Sequence, residues 1–414
     1  MVRPKRKATE AAAMEAKKAR GETDLSDGLK WHQAGEEIKG VNPVIVLSSD
    51  TLAGSQKIAG FDIDFTVIRT ASGRKFARGS KDWTWWNDSV PEKLKAINKD
   101  GYRVVFFTNQ AGIEKQKVKP REVMTKIEDI ISQLGIPVIA LICTGNNHFR
   151  KPSTMMWDYF LENCNGGVKV DLTKCYYIGD AAGRAKEWAA GKPRDFSCGD
   201  RMFAANIGID FKTPEEYFLG EASAPFKWCS VDPDKVLSDA PKPPAKKQEY
   251  HVKGKEIVIL VGAPASGKST FRKRYLEPYG YLAVNRDTMG TMAKCLKAAK
   301  DALKEGKSVV VDNTNPSMSA RSDFLDLASK TGCPCRCFVM NTPIEVAHHM
   351  NMVRQNQTNG QVRRVPEVGY NVYKKNFQEP TIEEGFTEVL KIDFVPEFGS
   401  SRDEQLFRQW TFFG

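Results

Sequence analysis

Histidine is scarce in this chain: His32, His148, His251, His348 and His349 are all it has in 414 residues. So few, spread so widely, argue against an enzyme built on a multi-histidine metal centre. The nine cysteines are an odd number and are scattered, which does not make a disulfide framework and fits a reduced intracellular protein. Long apolar runs are missing too. Stretches such as Ile257–Val261 fall far short of a membrane span. The N-terminus lacks the apolar core of a secretion signal. Acidic residues are in deficit, 51 against 62 Lys plus Arg, leaving a formal net charge of +11. A basic excess suits a polyanionic partner, nucleic acid or an acidic membrane, without choosing between them.

What is present is mostly globular material. Hydrophobic residues make up 41% and charged residues 27%, and the length suits two domains, each with its own core. Residues 1–40 are polar without sustained apolar periodicity and are expected to form a disordered basic tail. Two basic clusters there, Arg3-Pro4-Lys5-Arg6-Lys7 and Lys17-Lys18-Ala19-Arg20, have the spacing of a bipartite nuclear-import signal, so the expected location is the nucleus. A second break, rich in proline and lysine around Ala240-Pro241-Lys242-Pro243-Pro244, reads as a linker over 233–254. It separates a body at 41–232 from another at 255–414.

Both bodies alternate short apolar strands with helical stretches, the pattern of an α/β fold with doubly wound parallel sheets. Strands are expected at Lys57–Phe61, Arg103–Phe107, Val138–Cys143 and Cys175–Ile178 in the first body. In the second they fall at Ile257–Val261, Tyr281–Val284, Ser308–Val311, Arg336–Met340 and Val389–Ile392. Pro91 opens a helix that Gly101 closes, and a long helix is expected from Thr288 to Glu305.

The first strand runs into Asp62-Ile63-Asp64-Phe65-Thr66. Ligands bind where loops leave the carboxyl ends of parallel strands. Thr108-Asn109-Gln110, Arg150-Lys151-Pro152 and Gly179-Asp180 follow other strands to the same edge. This mixture suits phosphoryl transfer through a carboxylate. A bare Asp beside phosphate is repelled, so Mg²⁺ belongs between them, held by Asp62, Asp64 and Asp180. Asp62 would be the nucleophile and form an aspartyl-phosphate. Asp64 would protonate the leaving hydroxyl and then activate water. Thr108 would hold phosphate oxygens and Lys151 would offset negative charge. A late second carboxylate is open between Asp195 and Asp200.

In the second body Gly262, Ala263, Pro264, Ala265, Ser266, Gly267, Lys268 and Ser269 match the P-loop pattern, with Thr270 opening the helix behind it. Glycines let backbone N–H groups face the phosphates, Lys268 reaches their far end, and Ser269 ligates Mg²⁺. Asp312, at the end of Val309-Val310-Val311, has the form of a second metal-assisting residue. Asp287 follows Val284-Asn285-Arg286 and can take the proton of an attacking hydroxyl, which favours a kinase over an NTPase. Arg354 is the candidate lid arginine, stabilising transition-state charge on the ATP γ-phosphoryl group. Cys333, Cys335 and Cys337 lack the hook spacing of zinc sites and read as core. Trp83, Trp85 and Trp86 read as packing over the sheet.

The Asp-x-Asp segment with its ordered followers resembles the haloacid dehalogenase-like phosphatases. Together with the P-loop, Phe107-Thr108-Asn109-Gln110, Gly179-Asp180-Ala181-Ala182-Gly183-Arg184, Asp195-Phe196-Ser197-Cys198, Val284-Asn285-Arg286-Asp287 and Asp312-Asn313-Thr314-Asn315-Pro316, the chain resembles the eukaryotic polynucleotide kinase/3′-phosphatases over about residues 40–400. The resemblance implies an N-terminal phosphatase that hydrolyses 3′-phosphate ends and a C-terminal kinase that phosphorylates 5′-hydroxyl ends with ATP and Mg²⁺. It implies DNA ends, single- or double-stranded, as partners, with Asp62, Asp64, Lys268 and Asp287 in the roles given above. About 40 tail residues are too few for the forkhead-associated domain of vertebrate members, so repair scaffolds would be met by another route. No membrane partner is expected, and a monomer is the default. RNA ends, or a non-enzymatic strand-break adaptor, are the alternative readings.

Overall fold

The computed structural model describes residues 28–37, 40–242 and 248–412. Both basic clusters therefore lie outside the described residues. The chain divides into two compact units between Cys229 and Ser230.

The first unit carries strands β1 (Lys30–Ala34), β2 (Val44–Ser48), β3 (Ile58–Phe61), β4 (Ile68–Arg69), β5 (Thr84–Trp85), β6 (Arg103–Asn109), β7 (Val138–Cys143), β8 (Tyr176–Ile178) and β9 (Asp210–Lys212). Seven of them form one sheet in the order β1-β2-β7-β6-β3-β8-β9, and β4 with β5 forms a small antiparallel ribbon. The pairs from β7 to β9 are parallel. Successive side chains alternate between faces. Val104 and Phe106 thus join one buried cluster with Phe61, Ile127 and Ile130, while Val105 and Phe107 join another with Phe160, Tyr177 and Phe203. Both faces are covered, which is why these strands read as continuous apolar runs. Each such Phe contributes ~1.5–3 kcal/mol on burial.

Two expectations need correction here. The sheet is not wholly parallel: β2 runs antiparallel to β7, and β1 antiparallel to β2. β1 also lies inside the stretch expected to be a disordered tail. Its sequence, Lys30-Trp31-His32-Gln33-Ala34, shows no apolar alternation, because an edge strand exposes most of its side chains. It is fastened by its ladder with β2 and by Trp31, whose indole N–H donates to Glu128 Oε1 at 2.9 Å.

The second unit holds β10 (Ile257–Val261), β11 (Leu282–Val284), β12 (Val309–Val311), β13 (Cys335–Asn341) and β14 (Glu388–Asp393). They form a parallel sheet in the order β11-β12-β10-β13-β14. Part of the expected linker is helical, over Pro233–Asp239. Pro233 opens it, and the Asp232 carboxylate accepts from the backbone N–H groups of Asp234 at 3.0 Å and Lys235 at 3.2 Å. The expected helix from Thr288 to Glu305 is two helices, Arg286–Met289 and Met292–Lys304. Gly290 ends the first at a φ of 86°, and the Thr291 hydroxyl caps the second. Cys333, Cys335 and Cys337 pack in the core beside β10 and β12. No helix among the described residues is long and apolar enough to cross a membrane.

Candidate functional site

Each unit carries a candidate active site at the carboxyl edge of its sheet. In the first, β3 is fully buried and delivers Asp62, whose backbone N–H donates to Ile178 O at 2.9 Å. The bond holds Asp62 beside the end of β8, where Asp180 follows. Gly199 and Asp200 open the helix Gly199–Ile207, and the Asp200 carboxylate accepts from Ala181 N–H at 3.0 Å. Gly179 makes this approach possible, since a Cβ there would stand 2.5 Å from the Asp200 side chain. Asp62, Asp180 and Asp200 bring one carboxylate oxygen each within 4.8 Å of one another.

Lys151 sits under this trio with only 4% of its surface exposed. Its ammonium lies 2.6 Å from Asp62 Oδ1 and 2.7 Å from Asp200 Oδ1, and donates to Phe107 O at 2.8 Å and Tyr177 Oη at 2.7 Å. Asn109 fixes the loop by accepting from Lys151 N–H at 3.0 Å. Burial, offset in part by Lys151 and reinforced by Asp200, pushes Asp62 up to about 7. Burial and the carboxylates of Asp200 and Asp62 push Asp180 well above its ordinary range. Burial alone would lower Lys151, but Asp200 and Asp62 outweigh it and raise it. A single ammonium does not balance three crowded carboxylates. An all-oxygen set of this kind fits a hard cation such as Mg²⁺.

Asp200, open against Asp195 on the sequence, is thus the carboxylate that joins the trio. Asp195 instead accepts from Arg184 Nε at 2.9 Å and Ala182 N–H at 3.2 Å, tying two loops together. The expected metal role of the Asp64 side chain needs correction. Its carboxylate is not with the trio: Oδ1 accepts from Lys126 at 2.9 Å and Oδ2 from Gln110 at 2.7 Å. Burial would raise it, but the Lys126 ammonium and both hydrogen bonds prevail and hold it below the usual carboxylate range. Gln110 also donates to Thr108 Oγ1 at 3.1 Å, which places the expected phosphate-binding hydroxyl next to the expected acid–base residue.

In the second unit Gly262 to Ser269 follow β10, and Gly267 caps the helix Lys268–Tyr275 with a φ of 95°. Thr342 Oγ1 donates to Ser266 O at 2.9 Å and fastens the loop to the end of β13. Lys268 is buried and donates to Gly262 O at 2.9 Å and Ala263 O at 2.7 Å. Burial lowers its ammonium to about 8, with Asp312 opposing and the Arg354 charge assisting. Arg354 therefore stands within electrostatic reach of the loop lysine. Its Nη2 donates to Asn351 Oδ1 at 3.1 Å, while its buried Nε has no partner among the described residues. Ser269 and Thr270 are exposed at the helix start.

Asp312 N–H donates to Val284 O at 2.9 Å, joining the ends of β12 and β11. One Asp312 oxygen accepts from Arg272 Nε at 2.9 Å, and the other is buried without a partner among the described residues. A buried unpaired carboxylate oxygen beside a P-loop is a fitting ligand position for a divalent ion. Asp287 is exposed in the first turn of Arg286–Met289, where Asn285, not Asp287, is the cap. Arg286 N–H donates to Asn313 Oδ1 at 2.9 Å, so Asp287 and Asp312 leave the same sheet edge.

Residues 57–218 match the family described as polynucleotide kinase 3 phosphatase, and residues 257–380 match one described as AAA domain. A bifunctional polynucleotide phosphatase/kinase of Schizosaccharomyces pombe is 41% identical over 345 residues, covering 83% of this chain and 81% of the relative. The chain belongs to the bifunctional polynucleotide phosphatase/kinase family. A protein of the Acanthamoeba polyphaga mimivirus is 31% identical over 390 residues, covering 88% of this chain and 90% of the relative. A polynucleotide 3′-phosphatase of Arabidopsis thaliana is 30% identical over 232 residues, 52% of this chain and 32% of the relative.

Within this family member the residues that sequence reasoning left unassigned are Lys126, Arg272 and, as a site residue, Gln110. Lys126 had a signal: it falls on the apolar face of Pro120–Leu134, among Val123, Ile127 and Ile130, where a lysine needs a partner. Arg272, one turn after the P-loop serine, carried no signal that separates it from a solvated helix residue.

Proposed function

We propose that the chain is a bifunctional DNA end-processing enzyme, a 3′-phosphatase and an ATP-dependent 5′-hydroxyl kinase, that restores ligatable ends in strand-break repair. The observation that carries this is the pairing in one chain of a buried Asp62–Asp180–Asp200 cluster on Lys151 with a complete P-loop backed by Asp312. Membership of a phosphatase/kinase family supports both activities.

In the phosphatase, Asp62 attacks phosphorus and the P–O3′ bond breaks. Asp64, ionised in the resting site by Lys126 and Gln110, takes a proton from solvent as the anionic phosphate enters, gives it to the leaving oxygen, and later takes one from the water that releases phosphate from Asp62. Thr108 holds a phosphate oxygen, and Lys151 neutralises charge beneath the nucleophile. Asp62, Asp180 and Asp200 would hold Mg²⁺, which supplies the positive charge that lets an anionic nucleophile meet a phosphate. In the kinase, the loop N–H groups and Lys268 hold the ATP phosphates, Asp287 takes the proton of the 5′-hydroxyl, and Arg354 steadies the transferring phosphoryl group. Ser269 and Asp312 would hold the nucleotide's Mg²⁺.

The two basic clusters support the nucleus as the proposed location, and repair scaffolds are proposed as partners. The test is a gel assay of a DNA oligonucleotide bearing 3′-phosphate and 5′-hydroxyl. Phosphate loss without ATP, and label transfer to the 5′ end with [γ-³²P]ATP, are expected. Neither activity with Mg²⁺ present would refute the reading. An RNA oligonucleotide of matched sequence, at one salt concentration, decides whether sugar identity matters.

A further inference from the structure

Lys126 is expensive to place where it is. It projects from the core-facing side of the helix Pro120–Leu134 and is 7% exposed. Taking an ammonium out of water costs several kcal/mol unless the geometry of its partner is good. The acceptor it reaches is Asp64 Oδ1, at 2.9 Å, and the Asp64 side chain remains 38% exposed. A buried cation thus grips one oxygen of a carboxylate whose other face is open to the site. The second oxygen, Oδ2, accepts from Gln110 at 2.7 Å, and Gln110 is tied to Thr108 Oγ1 at 3.1 Å. Lys126, Asp64, Gln110 and Thr108 form one connected chain from the helix core to the Thr108 hydroxyl, the proposed phosphate ligand.

We infer that Lys126 is the positioning residue of the phosphatase acid–base step: it anchors Asp64 Oδ1 so that Oδ2 alone handles the proton. This rests on the phosphatase reading above. Asp64 is ionised in the resting site and takes a solvent proton onto Oδ2 as the anionic phosphate enters; in the first half-reaction the Asp62 O–P bond forms, the P–O3′ bond breaks, and that proton passes to O3′. In the second, the water O–P bond forms, the Asp62 O–P bond breaks, and the water proton returns to Oδ2. Lys126 keeps its three protons throughout and touches neither substrate nor phosphorus. Its effect must therefore pass through Asp64, and it must matter most where the leaving group needs a proton. A free carboxylate rotates; one held from beneath by an ammonium presents a fixed oxygen, and orientation of this kind is a large part of acid–base efficiency.

The experiment is a double-mutant cycle on the full chain, Lys126→Met against Asp64→Asn, with Lys126→Arg as the conservative variant. Lys126→Met is expected to lower kcat on a 3′-phosphate oligonucleotide about 10²-fold, with KM little changed. Added to Asp64→Asn it should cost less than about threefold more, because the residue it works through is already gone. Lys126→Arg should recover most of the loss. The second readout is p-nitrophenyl phosphate, whose leaving group departs without a proton. Its first-turnover burst should survive in Lys126→Met while the oligonucleotide burst disappears. Multiplicative losses in the cycle, equal loss of both bursts, or an unchanged kcat would each overturn the inference. Wild-type protein without 3′-phosphatase activity would instead overturn the functional reading beneath it. Intact wild-type activity with a multiplicative cycle separates the two failures.

Discussion

The two candidate sites are cradles of opposite materials. In the first unit the cradle is made of charged side chains: three carboxylates and Lys151, drawn from segments as far apart as Asp62 and Asp200 and buried together. In the second it is made of backbone, a contiguous run from Gly262 to Ser269 whose lysine donates to the loop's own carbonyls. A side-chain cradle stores electrostatic conflict in the fold. A backbone cradle keeps its lysine satisfied locally and leaves the fold nearly indifferent to it. Function and stability are therefore coupled in one unit and separable in the other.

The largest expected effect breaks one cradle at a time. Asp62→Asn removes the proposed nucleophile and should lower 3′-phosphatase turnover by on the order of 10⁴-fold while sparing the 5′-kinase. Lys268→Met should abolish the kinase and spare the phosphatase. Oligonucleotide assays of both activities on each variant check this. Loss of both activities from either change in a folded protein would mean that the sites are not independent.

The same contrast decided what could be read from residue order. The P-loop was legible because its function is local: spacing, flanking strand and following helix are all contiguous. Asp62 and Lys151 were legible because each follows an apolar strand. Asp200 was not chosen over Asp195, because the choice depends on a tertiary fact, the Cβ-free approach of Gly179 to the helix at Gly199. Residue order places the Asp64 carboxylate with the metal for the same reason. Its partner Lys126 lies on a helix whose register against β3 no local pattern states. Buried parallel strands announced themselves, while Lys30–Ala34 did not, since an edge strand with one anchoring tryptophan has the composition of a tail. The break at Gly290 was visible as a glycine but outweighed by the helical run on either side of it.

A second, smaller effect concerns stability. Lys151→Met leaves Asp62, Asp180 and Asp200 crowded without their ammonium and should cost ~3 kcal/mol in the first unit. Lys268→Met removes a group bonded to two loop carbonyls and the Ser266 hydroxyl, which water or the loop can satisfy, and should be close to neutral. Denaturant titrations followed by tryptophan fluorescence report the first unit well, since seven of the eight tryptophans precede residue 230. Equal costs for the two variants would erase the distinction drawn between the cradles.

The units should also respond to pH in opposite directions. Asp62, raised from 3.8 to about 7 by burial against the pull of Lys151, keeps a proton in the folded state that the unfolded chain has lost. Its stability contribution is present below pH 3.8 and is lost as pH rises to about 7. His349 is the reverse case. Burial lowers it from 6.5 to about 4, and its ring bonds Thr411 Oγ1 at 2.9 Å and Phe407 O at 2.8 Å. Here the unfolded chain holds the extra proton, so stability is lost as pH falls from 6.5 to about 4. Hydrogen exchange followed by mass spectrometry, with chelator present, reads each unit separately between these limits. Magnesium should cancel the alkaline loss in the first unit and leave the acidic loss in the second untouched.

The smallest effect lies in how helices begin. In the first unit Val90–Lys99 and Pro120–Leu134 start with proline near the first turn and no side-chain cap. In the second, Asn285, Thr291, Ser317 and Ser400 each cap a helix through a side chain. Ser89 has the sequence of a cap, yet its buried hydroxyl has no partner among the described residues. Thr291 Oγ1 accepts from Lys294 N–H at 3.3 Å. Thr291→Ala should therefore cost about 1 kcal/mol, whereas Ser89→Ala removes an unsatisfied buried group and should be neutral or mildly stabilising. Thermal unfolding of the two variants compares them directly. A larger penalty at Ser89 than at Thr291 would show that the entry to Val90–Lys99 is held by the hydroxyl after all, and that proline alone does not set it.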